Sequence, residues 1–547
     1  MTVAEIAATT TVPAVPPPAP PARTSRAAPR GLVATGLAVA ALFAVPLGYL
    51  VWRNVSLGTE ALSALRDEDA GALLARTLIL ATVVAVAATV LGSLLAWLLV
   101  RTDLPGRRAW RVLVPLPLVL PSFVGALALL GAFAPGGLLE QVLAPFGVDE
   151  LPRMQGFGPT AFVLTLLTYP YVYLPVAARL AALPPSLEES ARALGRGPWP
   201  AFRTVVLPQL TGAMWAGGLL VFLYALSEFG VVQLLRYDTL TRAIYATRLF
   251  DPDTAMALSL LLGVVAIAVV AVERLFARRR FATEASSAGR PTLRVRLGGW
   301  RLPGLLLVGG VVGLALVAPV VVLGYWVLRG VLGDAELRVD SIVTPTVTTV
   351  GLGVVAAVVT VLAVLPLAYL VGRYRSRVGE GANAVVVAGF ALPGLVVALS
   401  LVFLVLQAPA LAGLYQTLPL LVLAYAMHFG SQGMSAAQVT VSGMPARVGD
   451  AARSLGAGRL RRLATVDFPL MKGGLAAGLG LVMLSVMKEL PATLVLAPPG
   501  TETLATRIWA ATEDAFFAEA GLLSLVLLAA SGALTWLLTV RPLTRAS

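Results

Sequence analysis

Residues 183–210 read LPPSLEESARALGRGPWPAFRTVVLPQL, and residues 444–471 read MPARVGDAARSLGAGRLRRLATVDFPLM. Adding 261 to each number carries the first stretch onto the second without a gap. Pro184 falls on Pro445, Glu189 on Asp450, Ala191 on Ala452, Gly195 on Gly456 and Pro208 on Pro469. Both stretches are polar islands between long apolar runs. Leu187, Ala191 and Leu194 stand at i, i+4 and i+7, one apolar face of a helix, and Val448, Ala452 and Leu455 repeat it. Ser186-x-x-Glu189 has the form of a capping box at the helix start. Gly195 and Gly456 are natural stops. Beyond them Trp199, Phe202 and Val205 match Leu460, Leu463 and Val466, again at helical spacing. Each island is expected to be a short helix, a glycine turn and a second short helix. An apolar face on such a loop needs cover, from its own bundle or from a partner.

The bulk composition sets the surroundings. The chain has 547 residues, 58% hydrophobic, and only 13% charged. Soluble domains carry about a quarter charged residues, so an integral membrane protein is expected. There is no cysteine, which excludes disulfides, thiolate metal sites and cysteine nucleophiles.

Apolar runs near the length that a bilayer requires start around residues 32, 73, 112, 157, 210 and 255, and again around 303, 344, 383, 415, 473 and 520. The expectation is an all-α integral membrane protein with about twelve transmembrane helices. Likeness extends beyond the islands. Trp97, Arg101 and Pro121 fall on Tyr369, Arg373 and Pro393 with an offset of 272, and Glu228 falls on Glu489 with the island offset of 261. The chain therefore reads as a tandem duplication of a six-helix unit. Residues 1–30 form a Pro/Ala-rich tail expected to be disordered. Residues 31–277 form the first half with its island at 183–210. Residues 278–301 form a basic linker, and residues 302–547 form the second half with its island at 444–471. An even number of spans per half gives both copies one orientation, as in parallel repeats. Placing both termini in the cytoplasm puts most of the 41 Lys and Arg inside and most of the 28 Asp and Glu outside. Both islands are then cytoplasmic. The basic charge is spread over short loops at a lipid surface, so no nucleic-acid partner is expected.

Some chemistry is missing. Lys472 and Lys488 are the only lysines, and neither is followed by Ser or Thr, so the sequence has no G-x-x-x-x-G-K-[ST] phosphate loop. One histidine, His428, without cysteine does not make a typical zinc site. It reads as a packed or pore-facing residue. No nucleophile, base and orienting-group set is evident, so the chain is not read as an enzyme.

Two islands with the pattern [E/D]-x-A-x-x-x-G, each before the last two spans of a six-span half, resemble the EAA loops of bacterial ABC importer permeases. The likeness covers the chain from about residue 32. The copies read Glu189-Ser190-Ala191 and Asp450-Ala451-Ala452, so neither is a literal Glu-Ala-Ala. The resemblance implies that each island docks in a groove of a separate ABC ATPase subunit, present in two copies. Glu189, Ala191, Gly195, Asp450, Ala452 and Gly456 would be the ATPase-coupling residues. It also implies an extracytoplasmic substrate-binding protein as partner, a place in the bacterial cytoplasmic membrane, and no cofactor in this chain, with ATP on the ATPase. Lys488-Glu489-Leu490-Pro491 and Leu226-Ser227-Glu228-Phe229-Gly230 look like fused ferric-iron permeases. Thiamine permeases are similar, and polyamine and phosphonate permeases more distantly so. Glu228, Glu489 and Lys488 are pathway candidates, because ionisable groups in a span usually face a cavity or a partner. The bland alternative is that the glutamates are helix caps or ion-pair partners of Lys488 or Arg236. A metal site is not legible. A different class, an ion-coupled secondary transporter, would need ionisable groups at mid-membrane, and these spans carry few. Tyr169, Tyr171 and Tyr173 could supply oxygen ligands, but alternate residues on a helix diverge, so ordinary packing is the better reading. Pro121 and Pro393 are expected to mark kinks.

Overall fold

The computed structural model describes residues 28–134, 137–147, 151–277, 295–333, 340–374 and 376–545. The expected disordered tail lies almost entirely outside the described residues, as does most of the linker. Within lipid every backbone N–H and C=O must be satisfied internally. The apolar runs accordingly form helices, and the described residues contain no strand, only an isolated bridge between Thr102 and Val295.

Among the described residues nine helices are long and apolar enough to cross a membrane, or up to eleven if each of two bent pairs is one span. The bent pairs are the third spans of the two halves. Arg107–Val119 meets Ser122–Phe133 at 96°, and Arg377–Gly389 meets Gly394–Gln407 at 99°. Pro121 and Pro393 stand in extended conformation immediately before the second limb of each pair. The expected kinks are thus full breaks. The count differs from twelve at one helix, Leu418–Ser442. It has 25 residues, enough to cross, but His428, Ser431, Gln432, Ser435 and Gln438 make it more polar. Its polar residues are tolerated because it packs between Asp340–Gly372 and Phe468–Met487 rather than facing lipid all round.

The two halves exchange their first spans. Arg30–Leu57 lies along Asp340–Gly372 and Arg377–Ala391 of the second half, while Ala318–Leu332 lies on Ser122–Phe133 of the first. Tyr49 donates to Gln407 Oε1 across this interface at 2.9 Å. Small residues set the close helix approaches, as packing in lipid favours. A side-chain carbon on Gly217 would fall 2.7 Å from Val172 Cα, and one on Gly478 would fall 2.7 Å from Ala436 Cβ. These two glycines are again 261 apart.

The described end of the linker is tied to the first half. Val295 N–H donates to the Arg101 carbonyl at 2.8 Å. Leu297 N–H donates to Asp103 Oδ1 at 2.9 Å, and Arg301 pairs with the other oxygen of the same carboxylate. The Arg301 hydrogen bond, followed by the Leu297 amide, holds the Asp103 carboxyl below its ordinary value.

Candidate coupling islands and transport pathway

Each island is built from the same backbone solution. The first helix is Pro185–Ala193 in one half and Ala446–Ser454 in the other. Ser186 does not cap the first helix, contrary to the capping-box reading. Pro184 takes the cap position and Pro185 the first helical one, where a missing N–H costs nothing. That places Ser186 inside the first turn. Both helices end in a Schellman turn. Gly195 N–H donates to the Arg192 carbonyl and Arg196 N–H to the Ala191 carbonyl, at 3.0 and 3.2 Å. Gly456 and Ala457 repeat this on Arg453 and Ala452, at 2.9 and 3.0 Å. Gly195 has φ +81° and Gly456 φ +78°, a left-handed conformation that favours glycine.

The expected second short helix is helical but not separate. Pro198–Ala201 runs through a π turn, Phe202–Val206, straight into the span Leu207–Ser227. Arg459–Arg462 runs through Leu463–Asp467 into Phe468–Met487 in the same way. Displacement of the glycine turn is therefore displacement of the root of a span.

The predicted apolar face divides. Ala191 and Ala452 are buried against the chain's own bundle, whereas Leu194 and Leu455 are 84% and 87% exposed. Glu189 and Asp450 are exposed as well, with Asp450 paired to Arg453. The two alanines seat the island, and the acidic residues and leucines face outward. Trp199 adds to the exposed apolar surface in the first half, stacked on Phe202 at 5.7 Å.

The buried acid of the first island is the neighbour of the one that the motif singles out. Glu188 pairs with Arg101 at 3.4 Å, and the two side chains are only 7% and 4% exposed. Arg192 closes on the other Glu188 oxygen at 2.8 Å. In the second half Arg373 occupies the place of Arg101, and Gly449 occupies the place of Glu188. A side-chain carbon on Gly449 would fall 2.5 Å from Arg373 Nη2. The buried acid there is Asp467, in the π turn, held by Arg462 at 3.2 Å.

Glu228 and Glu489 stand at the ends of their spans remote from the islands, each beside the break of a third span. Ser122 Oγ donates to both Glu228 oxygens, at 3.1 and 3.0 Å, and Val231 N–H donates to Oε1 at 3.0 Å. Glu489 Oε1 accepts from Ala492 N–H at 3.1 Å. Gly394 stands where Ser122 does, so Glu489 comes down on bare backbone. A side-chain carbon on Gly394 would fall 2.6 Å from Glu489 Oε1 and 3.3 Å from His428 Nε2. Both carboxylates therefore cap the short helices Gly230–Leu234 and Pro491–Leu496, each against the start of a broken limb where helix dipoles favour negative charge. Neither forms an ion pair with Lys488 or Arg236 among the described residues. Lys488 reaches across to the first half and donates to the Leu118 carbonyl at 2.9 Å.

The tyrosines diverge. Tyr169 donates to the Val114 carbonyl at 2.6 Å, Tyr171 packs on Tyr224 at 5.9 Å, and Tyr173 is buried elsewhere in the core. No group of three or more His, Asp or Glu among the described residues is arranged to hold a metal ion. Two polar residues went unremarked in the sequence. Thr77 Oγ1 accepts the N–H of Leu240 at 3.0 Å, and Thr349 Oγ1 accepts that of Leu504 at 2.7 Å. They are related by the same offset as Arg101 and Arg373, and that repeat was the signal available.

A duplicated six-helix unit with a helix–glycine turn–helix island in each copy is the architecture of an ABC importer permease. Residues 88–281 and 364–540 match the family described as binding-protein-dependent transport system inner membrane component, and the chain belongs to that family. It is 30% identical over 500 residues to the Fe(3+)-transport system permease protein FbpB 2 of Haemophilus influenzae, covering 90% of this chain and 95% of that one. The sulfate transport system permease protein CysT of Salmonella typhimurium is 37% identical over 156 residues, 28% of this chain and 55% of the relative. The molybdenum transport system permease protein ModB of Mycobacterium bovis is 37% identical over 171 residues, 30% of this chain and 63% of the relative.

Proposed function

We propose that this multi-pass permease carries ferric iron, delivered by a soluble binding protein, across the bacterial cytoplasmic membrane. The observation that carries the substrate is the extent of likeness. The ferric-iron relative matches over nine tenths of the chain and through both halves, whereas the sulfate and molybdenum relatives match over less than a third of it. Two carboxylates beside the two broken spans are compatible with a hard, oxygen-seeking cation. Glu489 is the stronger pathway candidate, since Glu228 is filled by donors from within the first half. Thiamine, polyamine and phosphonate remain the competing cargoes by sequence likeness.

Both termini and both islands face the cytoplasm in this reading, and two ATPase subunits bind there, one at each island. Leu194, Leu455, Glu189 and Asp450 meet the ATPase, while Ala191, Ala452, Gly195 and Gly456 shape the helix that does so. Exposed apolar residues on a short amphipathic helix suit docking into a groove. ATP binding draws the islands together, and the loaded binding protein biases the same two-state equilibrium from the other side. The test is uptake of labelled ferric iron, sulfate, molybdate and thiamine by cells with and without this chain. Loss of iron uptake alone supports the reading. Loss of another cargo with iron uptake intact overturns the substrate and leaves the permease class standing.

A further inference from the structure

We propose that Glu489, His428, Gln432 and Ser485 form a cargo subsite that the second half builds alone, and that it takes a multivalent, oxygen-seeking cation. This rests on the reading of the chain as a ferric-iron permease and names the side chains that the ion meets.

The helix Leu418–Ser442 packs against Asp340–Gly372, Arg377–Ala391, Gly394–Gln407, Phe468–Met487 and Pro491–Leu496. One face stays open. His428, Gln432, Ser435 and Val439 stand at i, i+4, i+7 and i+11, a single helical stripe. All four are at least partly exposed, whereas Tyr425, Phe429, Met434 and Ala437 around them are buried. Polar side chains on an open face within a bilayer belong to a water-filled space or a partner rather than to lipid. Ser485 gives the direction of that space. Its hydroxyl donates to Gln432 Oε1 at 2.9 Å. Lys488 and Glu489 lie one turn further along the same span, and Lys488 reaches the first half at the Leu118 carbonyl. The stripe therefore borders the space between the halves.

At the head of the stripe Glu489 Oε1 and His428 Nε2 border one point, the bare backbone of Gly394 at the broken span. His428 is also hydrogen-bonded to the backbone at Leu392, which fixes the ring. Ser485 and Gln432 keep oxygen lone pairs after their mutual bond. Carboxylate and carbonyl oxygens suit hard cations, and imidazole suits iron. One carboxylate and one imidazole fall short of a resident metal centre. A pathway needs such a site, weak enough for its ion to leave. The same carboxylate repels sulfate and molybdate.

The first half has no such stripe. Leu167, Tyr171, Leu174 and Ala178 take the places of His428, Gln432, Ser435 and Val439 at the offset of 261, and Tyr224 takes that of Ser485. Tyr171 packs on Tyr224, and Glu228 is closed by Ser122 and Val231. This half supplies a wall, and the second supplies the ligands.

The test is uptake of labelled ferric iron by cells making the permease with its ATPase and binding protein. ATP hydrolysis stimulated by the loaded binding protein is measured on the same complex in nanodiscs. Gln432→Leu and His428→Leu probe the second half, Tyr171→Phe and Leu174→Ala the first. The expected result is a fall in uptake of roughly tenfold or more for both second-half variants, the scale on which metal affinity answers a disturbed ligand sphere. Stimulated hydrolysis is retained, and Tyr171→Phe and Leu174→Ala keep wild-type uptake. Second-half variants that carry iron as wild type does, equal losses in both halves, or uptake lost only together with hydrolysis overturn the subsite. Absence of iron uptake by the wild-type transporter overturns the ferric reading itself.

Discussion

Glu188 in the first half closes on Arg101 inside the protein, and the equivalent place in the second half holds Gly449 against Arg373. The ends of the spans remote from the islands differ in the same way. Glu228 is held by the Ser122 hydroxyl and a backbone amide, whereas Glu489 rests on Gly394 beside His428 and keeps one amide. Backbone solutions, by contrast, are shared: two Schellman turns, two π turns, two breaks after proline. A duplicated unit can exchange one side-chain donor for another at modest cost, but a left-handed turn or a broken span admits few residue types. In the first half these charges are closed by side chains, and in the second glycine stands at two of the matching positions, Gly449 and Gly394.

The largest expected difference between the halves is at the buried Arg101–Glu188 pair. Glu188→Ala leaves Arg101 buried without its carboxylate, which costs about 3–5 kcal/mol for a broken buried pair. Gly449→Ala meets only the mobile tip of Arg373 and should cost less than about 1 kcal/mol. Thermal unfolding of the purified permease in nanodiscs checks this, and equal losses would break the comparison. Next come the two carboxylates remote from the islands, Glu228 and Glu489. Glu228→Ala removes the acceptor for Ser122 and Val231, about 3–6 kcal/mol at 1.5–3 for each bond to a charged group. Glu489→Ala removes one such bond and should cost roughly half as much. The ratio of the two shifts in Tm is the readout.

Gly195→Ala and Gly456→Ala test the shared part. Each puts a side chain in the left-handed region, at about 1–2 kcal/mol, and the two losses should be equal. An unequal pair would show that the two turns are not the same device. The smallest effect is at Asp103, whose pairing with Arg301 lowers its folded-state pKa. A lowered carboxylate contributes stability above its unfolded pKa of about 3.9 and loses it as pH falls through the folded value. The Tm gap between wild type and Asp103→Asn should therefore be small at pH 7 and close on acidification. A gap that widens in acid would contradict the pairing.

The duplication, the island turns and a bend at Pro121 and Pro393, expected as kinks and found as full breaks, were legible because each leaves a residue-type mark at a fixed offset. Glycine at a left-handed turn and proline before a broken limb are such marks. Charge partners were less legible. Glu188 and Glu189 are adjacent, and the motif points to Glu189, but only packing shows that Glu188 is the one turned inward. The Glu228 cap depends on Ser122, which is 106 residues away. The helix Leu418–Ser442 shows the converse. Its polar residues lower its mean apolarity, yet the run was long enough to be read as a span.

The most direct test of the central claim is co-isolation of an ABC ATPase with this chain from membranes. Wild type is compared with the double variant Gly195→Asp, Gly456→Asp, after matched insertion of both has been verified. The account predicts an ATPase in stoichiometric amount with wild type, and its loss with the double variant. Retention of the ATPase by an inserted double variant would show that the islands are not the docking elements.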